Sequence, residues 1–491
     1  MEETEIKLEV DPESRAAVAH AFAVPQAVAT RLRATYWDTA DSRLAGAGMV
    51  LRLRLEGKTW VQTAKGVGNS ALHRLEHEVA LPGDWPAGGP APNPERHAGT
   101  PVGDRLRATL AASPPGPAAA LEPRYTTDVL RRAIRIEAAG AVVEVAFDDG
   151  EIRAGEQSSA ICEVEIESLS GPCALLFQTA RQGIAAHSLW VGSASKAERG
   201  ERLRLGLAHP APVKAVAARL VPSMSLDAAR RQVVASCLAH LLPNAEAVGH
   251  GSDDPDHVHQ VRVALRRLRT ALRVLGTASE EERAAERRLA SAFRELGVLR
   301  DREVLATTVL PRLLEAGAPP LPAPPPSPDA RPAAAVIRDA ALQATLVDLI
   351  AYSMGDPDPH SPPAKRSIRR ILRRQHQRLV REARHFEALP EERQHAVRKH
   401  LKRLRYSAEF GRSLFDAKPV ARYLSRLEPA QEALGLHTDE SVALALFQQA
   451  ARAGDAQAQA AIDWLEARRP ASAKACARCL RRVTKAARFF D

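Results

Sequence analysis

Two patterns in this sequence carry side chains that could do chemistry. The first is acidic and repeats at every second position: Glu3 and Glu5 in a string that ends in Lys7, and Glu163, Glu165 and Glu167 far along the chain. Side chains two apart on a strand share one face. Paired carboxylates at that spacing suit a hard divalent cation such as Mg²⁺ or Mn²⁺. Arg52 and Arg54 repeat the spacing with cations, and guanidinium groups match phosphate oxygens. Acids that hold a metal, placed beside bases that hold phosphate, are the components of metal-assisted phosphoanhydride hydrolysis.

The second pattern is basic and written twice. His259, Arg262, Arg266 and Arg269 recur 136 residues later as His395, Arg398, Lys402 and Arg405. Spacings of three and four put each set on one helical face. An apolar stripe runs beside each row, Val258, Val261, Leu265 and Leu268 in the first copy, Val397, Leu401 and Leu404 in the second. Each copy is followed by a second element, Leu296-Gly297-x-x-x-Asp301-x-x-Val304 and Leu434-Gly435-x-x-x-Asp439-x-x-Val442. Two elements in the same order indicate an internal duplication. No Asp or Glu lies between Arg262 and Arg273, so the row lacks local ion-pair partners and an external polyanion is expected. Each histidine heads a basic row without carboxylates, which favours phosphate hydrogen bonding or a structural role over metal ligation. Asp301 and Asp439 follow a Gly and read as helix caps.

The elements that must position these groups divide the chain. Residues 1–208 hold 23 Lys/Arg against 27 Asp/Glu, while the remainder holds 46 against 32, so the overall charge of +10 belongs to the second half. An anionic partner for that half is expected. Aromatics make up 4%, too few for single-strand nucleic-acid binding by base stacking. At 491 residues the chain exceeds one core. Residues 1–208 alternate and turn as β structure, 209–213 read as a linker, and 214–491 are helical. The helical repeats are expected at about 214–318 and 333–491, on either side of a Pro-rich loop at 319–332.

In the β half, Glu3/Glu5/Lys7/Glu9, Arg52/Arg54, Arg74/Glu76/Glu78, Glu144/Asp148 and Glu163/Glu165/Glu167 each alternate with apolar residues. Charged faces of both signs suit a closed barrel with a polar, hydrated interior and an apolar exterior covered by helices. Five scattered cysteines predict a reducing compartment, and Cys476-x-x-Cys479 reads as two thiols on a helix face. The acidic start lacks signal-peptide features and no apolar run reaches membrane-spanning length, so a cytoplasmic protein is expected.

The ordered set Glu3-x-Glu5-x-Lys7, Tyr36-x-Asp38-Thr39, Leu51-Arg52-Leu53-Arg54, Lys65-Gly66, Arg74-x-Glu76, Asp128 with Arg131, Glu144-x-x-x-Asp148, Cys162-Glu163-x-Glu165-x-Glu167 and Ser195-Lys196 resembles CYTH domains, the triphosphate tunnel metalloenzymes. The resemblance implies an antiparallel eight-stranded β-tunnel with flanking helices that binds triphosphate and divalent metal. It implies that Lys7, Arg52, Arg54, Lys65, Arg74, Arg131 and Lys196 hold phosphates. Glu3, Glu5, Glu163 and Glu165 would bind metal and position water, with Glu76, Glu144 and Asp148 in the same tunnel. Strand parity selects Arg131 over Arg132.

Lys214 and the two basic rows resemble the CHAD domain, a conserved-histidine helical module. That implies two duplicated four-helix bundles whose basic cleft, with Lys214, binds inorganic polyphosphate. The expected function is Mg²⁺- or Mn²⁺-dependent hydrolysis of inorganic triphosphate or short polyphosphate, with polyphosphate binding that associates the protein with granules. The alternatives are a non-catalytic granule-binding protein, a nucleoside or thiamine triphosphatase, and an adenylate cyclase. No membrane or sequence-specific nucleic-acid partner is expected.

Overall fold

The computed structural model describes residues 2–70, 73–86, 88–111, 120–315, 331–452, 454–455 and 457–491. Most of the Pro-rich stretch lies outside them, as do the side chains of Glu3, Arg74 and Asp301. Two compact units are present. One comprises Met1–Pro212, Leu242–Ser252 and Ile337–Ala351; the other comprises Val213–Leu241, Asp253–Val336 and Tyr352–Asp491.

The first unit is built on one antiparallel sheet: β1 (Glu2–Glu9), β2 (Val28–Thr39), β3 (Met49–Glu56), β4 (Thr59–Ser70), β5 (His73–Leu81), β6 (Leu121–Ala138), β7 (Ala141–Ala154), β8 (Gln157–Ser170) and β9 (Trp190–Gly192). Its order is β5-β4-β3-β2-β6-β7-β8-β1-β9, and an additional β5–β1 pairing closes the ring. The sheet thus has nine strands among the described residues, where the CYTH resemblance implies eight. β5 leaves β1 after Thr4, and β9 takes over the same edge at Lys7–Glu9. A strand of three residues is too short to show alternation, which is why the sequence pattern misses it.

Alternation sorts the side chains as expected. Ile6, Leu8, Val143, Phe147, Val164 and Ile166 face outward and are buried, each worth about 1.5–3 kcal/mol against exposure. The helices of this unit are α1 (Arg15–Ala21), α2 (Arg43–Gly46), α3 (Pro101–Ala111), α4 (Ala174–His187) and α5 (Lys196–Arg204). α4 packs on β1, β7 and β8 through its own buried residues, including Leu176, Ala180 and Ile184. Leu44, Met49, Leu51, Ala64, Val102 and Leu106 form a separate core where α2 and α3 meet the sheet.

The inner face is not charged throughout. Leu32, Val129, Ile152 and Ile161 cluster there with Leu203 of α5, and the Tyr125 hydroxyl donates to the Ala197 carbonyl at 2.9 Å. α5 therefore lies against the inner face, filling its apolar part and carrying Lys196 into its charged part. Ser195 caps this helix in a capping box with Glu198, so the position of Lys196 is fixed at the first turn.

Beyond Pro212 the described residues are almost entirely helical: α6 (Leu226–Gly249), α7 (Pro255–Leu275), α8 (Glu280–Val304), continued through a π-helical turn at Leu305–Val309 into α9 (Leu310–Glu315), then α10 (Ala333–Ile337), α11 (Ala340–Met354), α12 (Ala364–Ala383), α13 (Glu391–Phe410), α14 (Ala417–Arg452) and α15 (Ala458–Thr484). The apolar stripes beside the basic rows, Val261, Leu265 and Leu268 on α7 and Val397, Leu401 and Leu404 on α13, are fully buried. Asp301 and Asp439 lie within α8 and α14, so neither is the cap that its Gly neighbour suggests.

Candidate active site and basic helical face

Register assembles the charged inner face row by row. Asp148 pairs with Glu163, and Glu163 with Glu9, across β7, β8 and β1. One pleat further along, Glu165 pairs with Lys7; the next row joins Glu144, Glu167 and Glu5. Adjacent rows are spaced by about 6.6 Å. Arg131 is opposite Asp148, Lys65 opposite Glu76, and Arg52 opposite Thr63.

The centre of this face is Asp148, Glu163 and Glu165, each offering a carboxylate oxygen within 4.8 Å of the others. Asp148 and Glu163 are fully buried. Lys196 reaches all three: its Nζ lies 2.7 Å from Asp148, 2.5 Å from Glu163 and 2.7 Å from Glu165. Arg131 donates two bonds of 2.7 Å to Asp148 and also contacts Glu165. Burial opposes the charge on Lys196, but the three carboxylates outweigh it and hold its pKa well above the usual lysine value. Burial likewise works against ionisation of Glu165, yet Lys196 and Arg131 hold its carboxyl well below the ordinary range. Three carboxylates that converge on one point form an all-oxygen donor set, which fits Mg²⁺ or Mn²⁺.

Around this centre, Lys7 donates to the Ala194 carbonyl and lies 3.3 Å from Glu9 and 3.8 Å from Glu163. Lys65 pairs with Glu76 at 2.6 Å, Arg52 with Glu78 at 3.4 Å, and Arg54 with Glu56 and Glu78. Glu144 is 3.5 Å from Arg135. Burial, with Glu5 and Glu144 nearby, pushes the Glu167 carboxyl up. Gly192 leaves space beside Lys7: a Cβ there would meet Glu9 Oε1 at 2.6 Å and Lys7 Cε at 2.7 Å, so both side chains would have to shift.

The two basic rows occupy α7 and α13. Arg266 Nε donates to the Tyr406 hydroxyl at 2.8 Å, and Arg267 to Glu409 at 2.7 Å. The rows are not bare. Glu286 of α8 takes Arg269 and Arg273, each at 2.7 Å; Glu409 and Gln431 take Arg405, each at 2.8 Å; and Arg398 lies 3.5 Å from Asp439. The first row is therefore not unpaired as its local sequence suggests, because Glu286 on a neighbouring helix supplies the acid; in the second row Glu409 stands one turn from Arg405. Lys402 lies among like charges: burial, then Arg266 and Arg398, hold its pKa well below the lysine value. Burial, then Lys399 and Arg398, bring His395 down to about 4, so it is neutral at pH 7. Arg262 stacks over Phe293 at 4.7 Å, and a Cβ on Gly297 would meet its Nη1 at 2.8 Å. The repeated glycine thus makes room for the first-row arginine. Lys214 lies exposed in the non-helical segment before α6, on neither row.

A CYTH domain model matches residues 1–200 and a CHAD domain model matches residues 232–448. The chain carries a CYTH domain followed by a CHAD domain. Among curated relatives, an inorganic triphosphatase from Haemophilus influenzae is 34% identical over 169 residues, which are 34% of this chain and 44% of that protein. The match thus spans less than half of that relative's length. Among solved structures, the CHAD domain of Ricinus communis is 29% identical, covering 57% of this chain and 98% of that one, with a TM-score of 0.45. A Hippeastrum protein described as having a dominant triphosphatase activity is 16% identical, covering 42% and 98%, with a TM-score of 0.29. Among the described residues no helix is long and apolar enough to cross a membrane.

In the CYTH domain the structure brings together Glu163, Glu165, Asp148, Arg131, Lys196 and Lys7. Glu5 and Glu144 stand in the next acidic row, while Glu76 is held by Lys65. Sequence reasoning missed Arg199, which lies 3.0 Å from Glu163, and Glu9. Both had a signal: Arg199 is three residues after Lys196 on one helix, and Glu9 continues the parity of Glu3, Glu5 and Lys7. Glu246 was missed with no such signal. With Glu9 and His250 it forms a second group of donor atoms within 4.8 Å, where Lys7 and Arg199 (3.3 and 3.9 Å from Glu9) already supply counter-charge.

Proposed function

We propose that the CYTH domain hydrolyses inorganic triphosphate, or a short polyphosphate, with Mg²⁺ or Mn²⁺, and that the CHAD domain binds inorganic polyphosphate. The observation that carries the first part is the convergence of Asp148, Glu163 and Glu165 with Lys196 and Arg131 inside a closed sheet. The named activity of the Haemophilus influenzae relative supports it. In this reading Lys7, Arg52, Arg54, Lys65, Arg74, Arg131 and Lys196 hold the phosphate oxygens, which satisfies cations that otherwise rest on carboxylates. Asp148, Glu163 and Glu165 hold the divalent ion, which when bound polarises the terminal phosphate. Glu3 and Glu5 orient the water. Its oxygen bonds to the terminal phosphorus, the bridging P–O bond breaks, and diphosphate leaves with the electron pair. The water's proton passes to the carboxylate row of Glu5, Glu144 and Glu167, where Glu167 already favours protonation.

For the CHAD domain, His259, Arg262, Arg266, Arg269, His395, Arg398, Lys402 and Arg405 form the polyphosphate surface, and exposed Lys214 adds a further cation for the same ligand. Mutually repelling cations around Lys402 support an anionic ligand. In this reading the two rows belong to two duplicated four-helix units, and the protein works in the cytoplasm on polyphosphate granules. A pair of full-length variants separates the two activities. Glu5→Gln is expected to lower triphosphate turnover by at least 100-fold and keep long-chain polyphosphate binding. Arg262→Glu with Arg398→Glu is expected to lose that binding and keep turnover within about 2-fold. Loss of both properties in either variant refutes separate sites.

A further inference from the structure

We propose that Glu246 is a positioning residue of the phosphate-binding site, so that a helix in the CHAD-matched sequence completes the CYTH tunnel. Glu246 sits near the end of α6, inside the CHAD match, yet Leu242–Ser252 belongs to the compact unit of the closed sheet. This inference rests on the triphosphatase reading and deepens it.

The geometry is specific. One carboxylate oxygen of Glu246, Oε2, accepts from Ser193 N at 2.5 Å, Ser193 Oγ at 2.5 Å and Ala194 N at 2.7 Å. Glu246 is buried, and charge-assisted bonds in a site of low polarity are the strong ones. The segment it grips, Ser193-Ala194, leads directly into the Ser195 cap and Lys196 at the start of α5. The same segment turns its Ala194 carbonyl to Lys7. One carboxylate therefore fixes the backbone that sets both lysines nearest the metal-binding acids. Burial opposes the charge on Glu246, and Lys7 with the Ser193 and Ala194 donors outweighs it.

The test uses the full-length protein with inorganic triphosphate and Mn²⁺, read by steady-state kinetics and by calorimetric binding. Glu246→Ala is expected to lower kcat/KM by 10- to 100-fold, mainly through KM, and to weaken triphosphate binding by a similar factor. Glu246→Gln keeps an acceptor for the two backbone N–H groups and is expected to recover part of that loss. Its kcat is expected within about 2-fold of wild type. A purely structural role would lower the active fraction, and so kcat, and leave KM in place. Ser193→Ala, which removes only the hydroxyl donor, is expected to cost about 3-fold and covers the case in which Glu246→Ala fails to fold. Wild-type KM and wild-type triphosphate affinity in Glu246→Ala would overturn the proposal. If wild type binds triphosphate without turning it over, the hydrolase reading falls, and the binding arm alone then decides the role of Glu246.

Discussion

At the scale of single residues, the site is a balance of buried charges. Lys196 touches three carboxylates, two of them fully buried, and helps to hold Glu163 and Glu165 ionised against burial. Glu165 has its folded pKa depressed by Lys196 and Arg131 against burial. A depressed carboxylate contributes stability that is present above its unfolded pKa, near 4.5, and is lost as pH falls through its folded value. Lys196→Met removes the main support. It is expected to destabilise the protein by on the order of 3 kcal/mol at neutral pH. Its acid-unfolding midpoint, followed by circular dichroism, is expected at higher pH than in wild type. An unchanged midpoint would mean that the Lys196 contacts do not set the carboxylate charges. Most of these groups were legible in the sequence because period-two alternation fixes a face. The pairing of Lys196 with Asp148 was not, since 48 residues and a helix separate them, and alternation says nothing about partners across a lumen.

At the scale of elements, the same logic explains what sequence patterns reached and what they missed. The strands with long charged alternation were readable; β9, with three residues, was not. The basic rows fell on helices α7 and α13 with their apolar stripes buried beside them. Most of their acids did not show, because Glu286 and Asp439 reach the arginines from other helices; Glu409, one turn after Arg405, is the exception. What remains on α13 is a cation under repulsion. Lys402 has its folded pKa lowered by burial and by Arg266 and Arg398, so wild type gains stability as pH rises toward the unfolded lysine value of 10.5. Lys402→Met is expected to raise the neutral-pH Tm by a few degrees and to abolish that alkaline gain. Added polyphosphate is expected to raise the Tm of wild type more than that of the variant. Equal ligand-induced shifts in both proteins would remove Lys402 from the binding surface.

At the scale of the whole molecule, the sequence divides cleanly by charge and by pattern, yet the fold does not cut at one point. Leu242–Ser252 and Ile337–Ala351 lie beyond the β half in sequence and join the compact unit of the closed sheet. Gln343 accepts from Val191 N at 2.9 Å, and Glu246 accepts from Ser193 and Ala194, so both segments anchor on residues around β9. No composition shift announces such contacts; they depend on single polar side chains within helical sequence. Metal-dependent cleavage inside the closed sheet is decided by phosphate release from inorganic triphosphate by the full-length protein with Mg²⁺, with Mn²⁺ and with EDTA. Turnover with either metal and none with EDTA is the predicted result. Absence of turnover with both metals, in protein that still binds polyphosphate, would contradict it.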